Sequence, residues 1–289
     1  MTQAKRLKLK QSLAGDKIIV APGIFDMISV RVADQMGFDT LYMTGYGTVA
    51  SYLGEPDAGL ATYTDMVNRV GAFCGTSNTP IICDGDTGYG GLLNVAHTVR
   101  GYEKAGAAGI QLEDQEFPKK CGHTPGRRVV AADEMVKKIK VTVEARCDPN
   151  FIIVARTDAR TSLGLDEALR RAEQYVNAGA DVIFVESPET VKELEIIGKN
   201  FDVPVLVNVV EGGRTPQLMP SELQDLGFSM AIYPVSGFLA MTRALEKVFA
   251  EIKARKGTRG YAEQLYSFAQ MCTLMGFEAV WDFDRQHAD

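Results

Sequence analysis

Eight short apolar runs rich in β-branched residues recur along the chain, each bounded by glycine, aspartate or proline. They are IIVAPG (18–23), TLYMTG (40–45), PIICDGD (80–86), GIQLED (109–114), FIIVARTD (151–158), DVIFVES (181–187), VPVLVNVV (203–210) and MAIYPVS (230–236). Because they are continuously apolar rather than alternating, they predict strands buried on both faces. Most are separated by stretches of helical spacing such as LNVAHTVRGYEKAG and LDEALRRAEQYVNAG, the latter with Asp166 and Glu167 in its first turn. A helix closing on glycine recurs just before a strand, at Gly37, Gly106, Gly179 and Gly227, where a left-handed cap would end it. About eight such βα units predict a (β/α)8 TIM-type barrel rather than an open doubly wound sheet.

The stretch after Ala250 lies beyond the last strand and reads as extra helix, with Tyr261, Tyr266, Phe268 and Trp281 as aromatic anchors. The expected organisation is one barrel domain over 1–289, with 251–289 a C-terminal helical extension that packs on the barrel or on a neighbouring subunit. The length of 289 residues suits a barrel with a single large core. Hydrophobic residues at 46% and charged residues at 24% are ordinary globular proportions, so the chain is expected to fold throughout. A net charge of −6 with scattered lysine and arginine argues against nucleic acid or an anionic membrane as partner. The five cysteines are widely spaced without a CxxC pair, which predicts neither a disulfide framework nor a zinc site. The basic start lacks an apolar signal region and no long apolar run could span a bilayer, so a reducing, cytoplasmic setting is expected.

In a parallel barrel, polar residues at the carboxyl ends of strands face the active-site mouth. That rule selects Thr44 and Gly45, Asp84 and Asp86, Glu113 and Asp114, Arg156 and Asp158, Glu186, Asn208 and Ser236. Alternation as D-G-D predicts Asp84 and Asp86 on one side of a strand, where their charges repel unless a cation lies between them. With Glu113 on the next strand they point to a hard divalent cation, Mg2+ by preference and Mn2+ as a substitute. A second constellation is PKKCGHTPGRR (118–128), too polar and glycine-punctuated to be core. There Cys121 beside Lys119, Lys120 and His123 has a cationic setting that would lower a thiol pKa and suit it to proton transfer. His97, within NVAHTVRGY, reads as helix surface or core, and His287 as tail.

KKCGH resembles the K-[KR]-C-G-H signature of the isocitrate lyase and phosphoenolpyruvate mutase superfamily, and it comes with DGDTGYG, QLEDQ, ARTDA and NVVEGGRTP. The match spans most of the chain, and the KKCGH cysteine resembles the lyase branch rather than the phosphonomutases. That branch includes isocitrate lyase, 2-methylisocitrate lyase, 2,3-dimethylmalate lyase and petal death protein, with oxaloacetate hydrolases or decarboxylases nearby. The resemblance implies that Asp84, Asp86 and Glu113 hold Mg2+ directly or through water. It implies that Thr44, Gly45, Tyr46 and Arg156 bind the pyruvate or glyoxylate portion with Asp57 nearby, and that Gly122, Glu186, Asn208, Pro234 and Ser236 line the rest. Lys119 to His123 would form a gating loop over a small di- or tricarboxylate, Cys121 would protonate the carbanion-like intermediate, and Tyr42 or Glu186 would take the hydroxyl proton. Leu239 stands where methylisocitrate lyases of this resemblance carry arginine, which argues against a third substrate carboxylate, although Arg214 could itself reach an anion. Thr124 is a small further departure from the signature. The expected reaction is therefore cleavage of a 2-alkylmalate such as 2,3-dimethylmalate, with 2-methylisocitrate second and oxaloacetate third. A homotetramer with exchanged C-terminal helices is implied by the resemblance alone.

Overall fold

The computed structural model describes residues 2–122, 124 and 126–288, so His123 lies outside the described residues. Eight parallel strands close into a barrel in sequence order: β1 (Ile19–Ile24), β2 (Leu41–Met43), β3 (Ile81–Asp84), β4 (Gly109–Glu113), β5 (Ile152–Thr157), β6 (Val182–Val185), β7 (Val205–Asn208) and β8 (Met230–Tyr233). Closure comes from β1 against β8, where Ile19 pairs with Met230 and Pro22 with Tyr233. Each strand coincides with one of the eight apolar runs; β1 runs one residue past its run, to Ile24, and the others are trimmed by one to a few residues where the chain turns into the mouth loops.

The helices of the barrel unit are α1 (Thr2–Leu13), α2 (Met27–Gln35), α3 (Gly45–Leu53), α4 (Tyr63–Thr76), α5 (Leu92–Lys104), α6 (Ala132–Ala145), α7 (Ala159–Leu163), α8 (Leu165–Asn177), α9 (Val191–Gly198) and α10 (Pro220–Asp225). The four glycines expected to close helices before strands all take positive φ, from 76° at Gly37 to 104° at Gly106. The core has two layers. Outward-facing strand residues such as Ile81, Ile110, Ile153 and Ile183 pack with Val70, Val99, Ile139 and Leu194 of the surrounding helices. Inward-facing residues such as Ile82, Val154, Val182 and Leu206 fill the barrel interior.

Leu9 and Leu13 of α1 belong to that interior cluster, so α1 packs against the barrel core. Burial of two leucines contributes roughly 1.5–3 kcal/mol each. The same helix buries Arg6, which reaches Asp148 at 3.2 Å, Glu103 at 3.5 Å and the carbonyl of Ala107 at 3.0 Å. The pattern along α1 is largely basic and polar, which concealed it from the sequence.

The chain resolves into two compact units, residues 1–237 and 238–289. The second unit begins within α11 (Ser236–Arg255) and continues through α12 (Phe268–Met275) and α13 (Phe277–His287). It carries many exposed apolar side chains, among them Phe249, Tyr266, Phe268, Trp281 and Phe283. No described helix is long and apolar enough to cross a membrane.

Candidate active site

The carboxyl ends of the strands converge on a cleft lined by Tyr42, Thr44, Tyr46, Asp57, Asp84, Glu113, Lys119 to Gly122, Arg156, Phe184, Glu186, Asn208, Val210, Ile232, Pro234 and Val235. Most of the expected positions are therefore brought together. Gly45, Asp86, Asp114, Asp158 and Ser236 are not among the described lining residues; Gly45 opens α3 behind Thr44, Asp86 is met by Lys119 from the cleft, and the Ser236 hydroxyl donates to Glu211 Oε1 at 2.5 Å. Gly45 nevertheless shapes the cleft, because a Cβ there would lie 2.5 Å from Asp84 Oδ2.

Asp84 ends β3, but Asp86 lies past the strand with φ 49°, a left-handed backbone uncommon for a residue with a Cβ and better tolerated by aspartate than by most. The two acids are thus joined by a tight turn rather than by strand alternation, and the expectation that alternation aligns them is corrected. The turn is fixed from several sides. The amide of Asp86 donates to Asp84 Oδ1 at 3.0 Å, that of Gly85 to the carbonyl of Gln111 at 2.9 Å, and that of Glu113 to the carbonyl of Asp86 at 3.0 Å.

All three acids are buried. Burial pushes their carboxyl pKa values up, Asp86 to about 7 and Glu113 well above its usual range, with Lys119 and Arg156 opposing the shift. Lys119 Nζ lies 2.5 Å from Asp86 Oδ1 and also contacts Asp57. The cleft and its immediate supports hold six acids (Asp57, Asp84, Asp86, Glu113, Asp158 and Glu186) against four described bases (Lys119, Lys120, Arg127 and Arg156). That excess is costly in a low-dielectric interior unless positive charge is added.

Glu113 Oε1 is buried with no hydrogen-bond partner among the described residues, which is the kind of atom a bound cation satisfies. No three described His, Cys, Asp or Glu side chains are gathered tightly enough to cage an ion by themselves. The donor set thus fits an oxygen-loving ion that keeps several waters and takes substrate oxygens, rather than a closed structural site. Asp84, Asp86 and Glu113 are the residues that could hold it.

Arg156 is the fixed cation of the site. Asp158 grips it through two bonds, Nε to Oδ2 at 2.8 Å and Nη2 to Oδ1 at 2.9 Å, while Nη2 lies 3.3 Å from Glu186 Oε2 and the guanidinium stacks 5.2 Å from the Phe184 ring centre. Burial would lower its pKa, but Asp158, Glu113 and Glu186 hold it well above its usual value. Glu186 Oε2 accepts from Asn208 Nδ2 at 3.1 Å, and Oε1 from the amide and hydroxyl of Ser187 at 2.7 and 3.1 Å. Tyr42 donates to Gln111 Oε1 at 2.8 Å, and burial raises its pKa well above 10, followed in importance by the nearby Asp84. In this arrangement the Tyr42 hydroxyl is a hydrogen-bond donor.

The segment carrying Lys119 and Cys121 lies down on the mouth. The amide of Cys121 donates to the carbonyl of Asp57 at 3.2 Å, and Ser187 Oγ to the carbonyl of Gly122 at 3.1 Å. A side chain at Gly122 would collide with Arg156 and Glu186, so only glycine allows this approach. Asp114, another strand-end candidate, is not in the cleft. It accepts from Thr157, Tyr175, Arg171 and the amide of Asp158, and so braces β5. His97 is exposed on α5, its ring 4.5 Å from that of Tyr63. Gln111 was missed, although it stands two residues before Glu113 on the same inward face, and so were Phe184, Val210, Ile232 and Val235, which read simply as core.

An acid-rich mouth at the carboxyl ends of a parallel (β/α)8 barrel defines a barrel enzyme. A family model described as phosphoenolpyruvate phosphomutase matches residues 9–253. A 2,3-dimethylmalate lyase of Eubacterium barkeri is 46% identical over 281 residues, covering 97% of this chain and 97% of that protein. A 2-methylisocitrate lyase of Aeropyrum pernix is 37% identical over 283 residues, covering 98% of this chain and 90% of that protein. A solved structure of phosphonopyruvate hydrolase in complex with oxalate and Mg++ is 29% identical with a TM-score of 0.89, each chain covered to 99%. The chain belongs to the phosphoenolpyruvate phosphomutase family, in the PEP mutase/isocitrate lyase superfamily, and is a carbon–carbon lyase.

Proposed function

We propose that this enzyme cleaves a 2-alkylmalate such as 2,3-dimethylmalate to pyruvate and a short acid, here propionate, with Mg2+ held by Asp84, Asp86 and Glu113 and Mn2+ able to replace it. The observation that carries this reading is the mixed lining of the cleft. It combines the acids, Arg156 and Lys119 with the apolar side chains of Phe184, Val210, Ile232, Pro234 and Val235. A malate skeleton with alkyl substituents matches both kinds of lining. The identity to a 2,3-dimethylmalate lyase supports it.

When bound, Mg2+ stabilises the negative charge that develops on the substrate's 2-oxygen. The chain's own residues do the remaining work. The start of α3, at Gly45 and Tyr46, offers amide groups to one carboxylate, Thr44 lines the same end through its side chain while its amide is held by the Ile24 carbonyl, and Arg156 offers its guanidinium. Glu186 receives the 2-hydroxyl proton in preference to Tyr42, whose own proton is held by burial and by Gln111. As the C2–C3 bond breaks, its electron pair passes to C3 and the adjacent carboxylate, and the Cys121 thiol delivers the proton that completes propionate. Lys119, Gly122 and His123 belong to the segment that excludes water from this intermediate.

A tricarboxylate such as 2-methylisocitrate ranks second because its extra carboxylate needs a further cation. Arg214 does not line the cleft and lies 3.5 Å from Glu189. Oxaloacetate ranks third. A panel that follows pyruvate from 2,3-dimethylmalate and 2-methylisocitrate, glyoxylate from isocitrate, and oxalate or pyruvate from oxaloacetate tests the order. The highest kcat/KM is expected on 2,3-dimethylmalate, and a higher value on 2-methylisocitrate would move the assignment there. The five cysteines are free thiols, in keeping with the proposed reducing, cytoplasmic setting. The exposed aromatic residues of the second unit support a homotetramer that exchanges C-terminal helices.

A further inference from the structure

The segment between β4 and α6 leaves and returns to the barrel side by side. Gln115 bridges Val129 in antiparallel fashion, and the amide of Glu116 donates to the carbonyl of Arg128 at 2.9 Å. Lys119 and Cys121 sit on the outgoing limb. On the returning limb, Arg127 turns inward and is buried, its side chain only 1% exposed. Its Nη1 lies 2.5 Å from Asp158 Oδ1 and its Nη2 donates to Thr161 Oγ1 at 2.7 Å. Asp158 is the same carboxylate that grips Arg156 through both oxygens. One buried carboxylate is therefore shared by two guanidiniums, one from the mouth segment and one from the cleft. Its pKa is lowered, burial being outweighed by Arg156 and Arg127.

We propose that Arg127 is a positioning residue that couples the placement of the Lys119–Gly122 segment to carboxylate recognition by Arg156, acting through Asp158. The role of Arg156 in this statement rests on the function proposed above. The physical reason is charge sharing. With Arg127 in place, the negative charge of Asp158 is divided between two guanidiniums, and Arg156 keeps electrostatic capacity for an incoming carboxylate. Without it, Asp158 neutralises Arg156 alone and draws it back from the cleft, while the returning limb loses its buried anchor. The other carboxylates near Arg156, Glu186 at 3.3 Å and Glu113 at 3.5 Å, would remain and would not replace the missing cation.

The test uses the Mg2+-loaded enzyme, with oxalate as a dicarboxylate probe measured by calorimetry and pyruvate release measured alongside. Arg127→Met is expected to weaken oxalate binding and to raise KM by about tenfold each. Arg127→Lys, which keeps the charge but loses the fork, is expected to recover part of both, and it carries the test should the methionine variant fail to fold. In an Asp158→Asn background, Arg127→Met should add little, because the coupling runs through that carboxylate. Unchanged oxalate binding and KM in Arg127→Met, a loss confined to kcat, or additivity with Asp158→Asn would each overturn the proposal. So would a wild-type enzyme that binds no oxalate. Oxalate binding with the expected losses but no pyruvate from any malate would instead sustain the coupling and sink the cleavage reading.

Discussion

At the scale of the residue, the site works by holding unfavourable charges close together. Asp84, Asp86 and Glu113 are pushed toward neutrality by burial, a shift that the neighbouring Lys119 and Arg156 oppose only in part. Cys121 stands apart from this group, on the mouth segment and half-buried in the cleft. If it is the proton donor, Cys121→Ser should lower cleavage by about 10²- to 10⁴-fold, the usual worth of a positioned acid, while oxalate affinity by calorimetry stays within about threefold. Full turnover in that variant would remove the thiol from the mechanism. Most site residues were legible because a barrel presents its strand ends in a known direction, so the positions of Glu113, Arg156, Glu186 and Asn208 followed from where each apolar run stopped. The geometry of Asp86 was not, since a left-handed turn in place of a strand continuation leaves no mark in the D-G-D spelling. Nor was the Arg127–Asp158 contact, which joins residues 31 apart in the chain.

At the scale of the element, the eight strands were readable because each is buried on both faces and so is continuously apolar. The helix-ending glycines were readable for a different reason, the steric freedom that a left-handed cap requires. The first helix escaped notice. Its apolar contribution is concentrated at Leu9 and Leu13, and its strongest tie is a buried cation, which in a sequence looks like surface. Arg6 there meets Asp148 and Glu103 and lies over the Phe151 ring at 5.4 Å. Arg6→Met leaves two buried carboxylates without their cation, a loss of about 3–5 kcal/mol. The melting temperature should fall by roughly 10 °C. A melt within about 1 °C of wild type would show that α1 contributes no such anchor. Hydrogen exchange in α1 and in the turn before β5 should rise in the same variant, since both ends of the ion pair lose their tether.

At the scale of the whole molecule, the barrel unit and the C-terminal unit make different demands on their surroundings. The barrel buries its apolar surface in two layers of its own, while α11 and α13 bury none of their residues. Phe268 is 84% exposed and Phe283 60%, which is more apolar surface than an isolated helix pair keeps in water. Replacing both by glutamate should shift the proposed tetramer to smaller species in sedimentation experiments, and an unchanged mass would exclude these residues from the interface. The sequence marked the aromatic residues of this tail and set its extension at 251–289, while the second compact unit begins at 238, near the start of one continuous helix that leaves no break in the sequence. The central claim remains metal-dependent cleavage at the mouth of the barrel. It is tested most directly by following pyruvate release from 2,3-dimethylmalate before EDTA, after EDTA, and after excess Mg2+ is restored. The account predicts turnover that stops with the chelator and returns with the metal, whereas cleavage that continues undiminished in EDTA would contradict it.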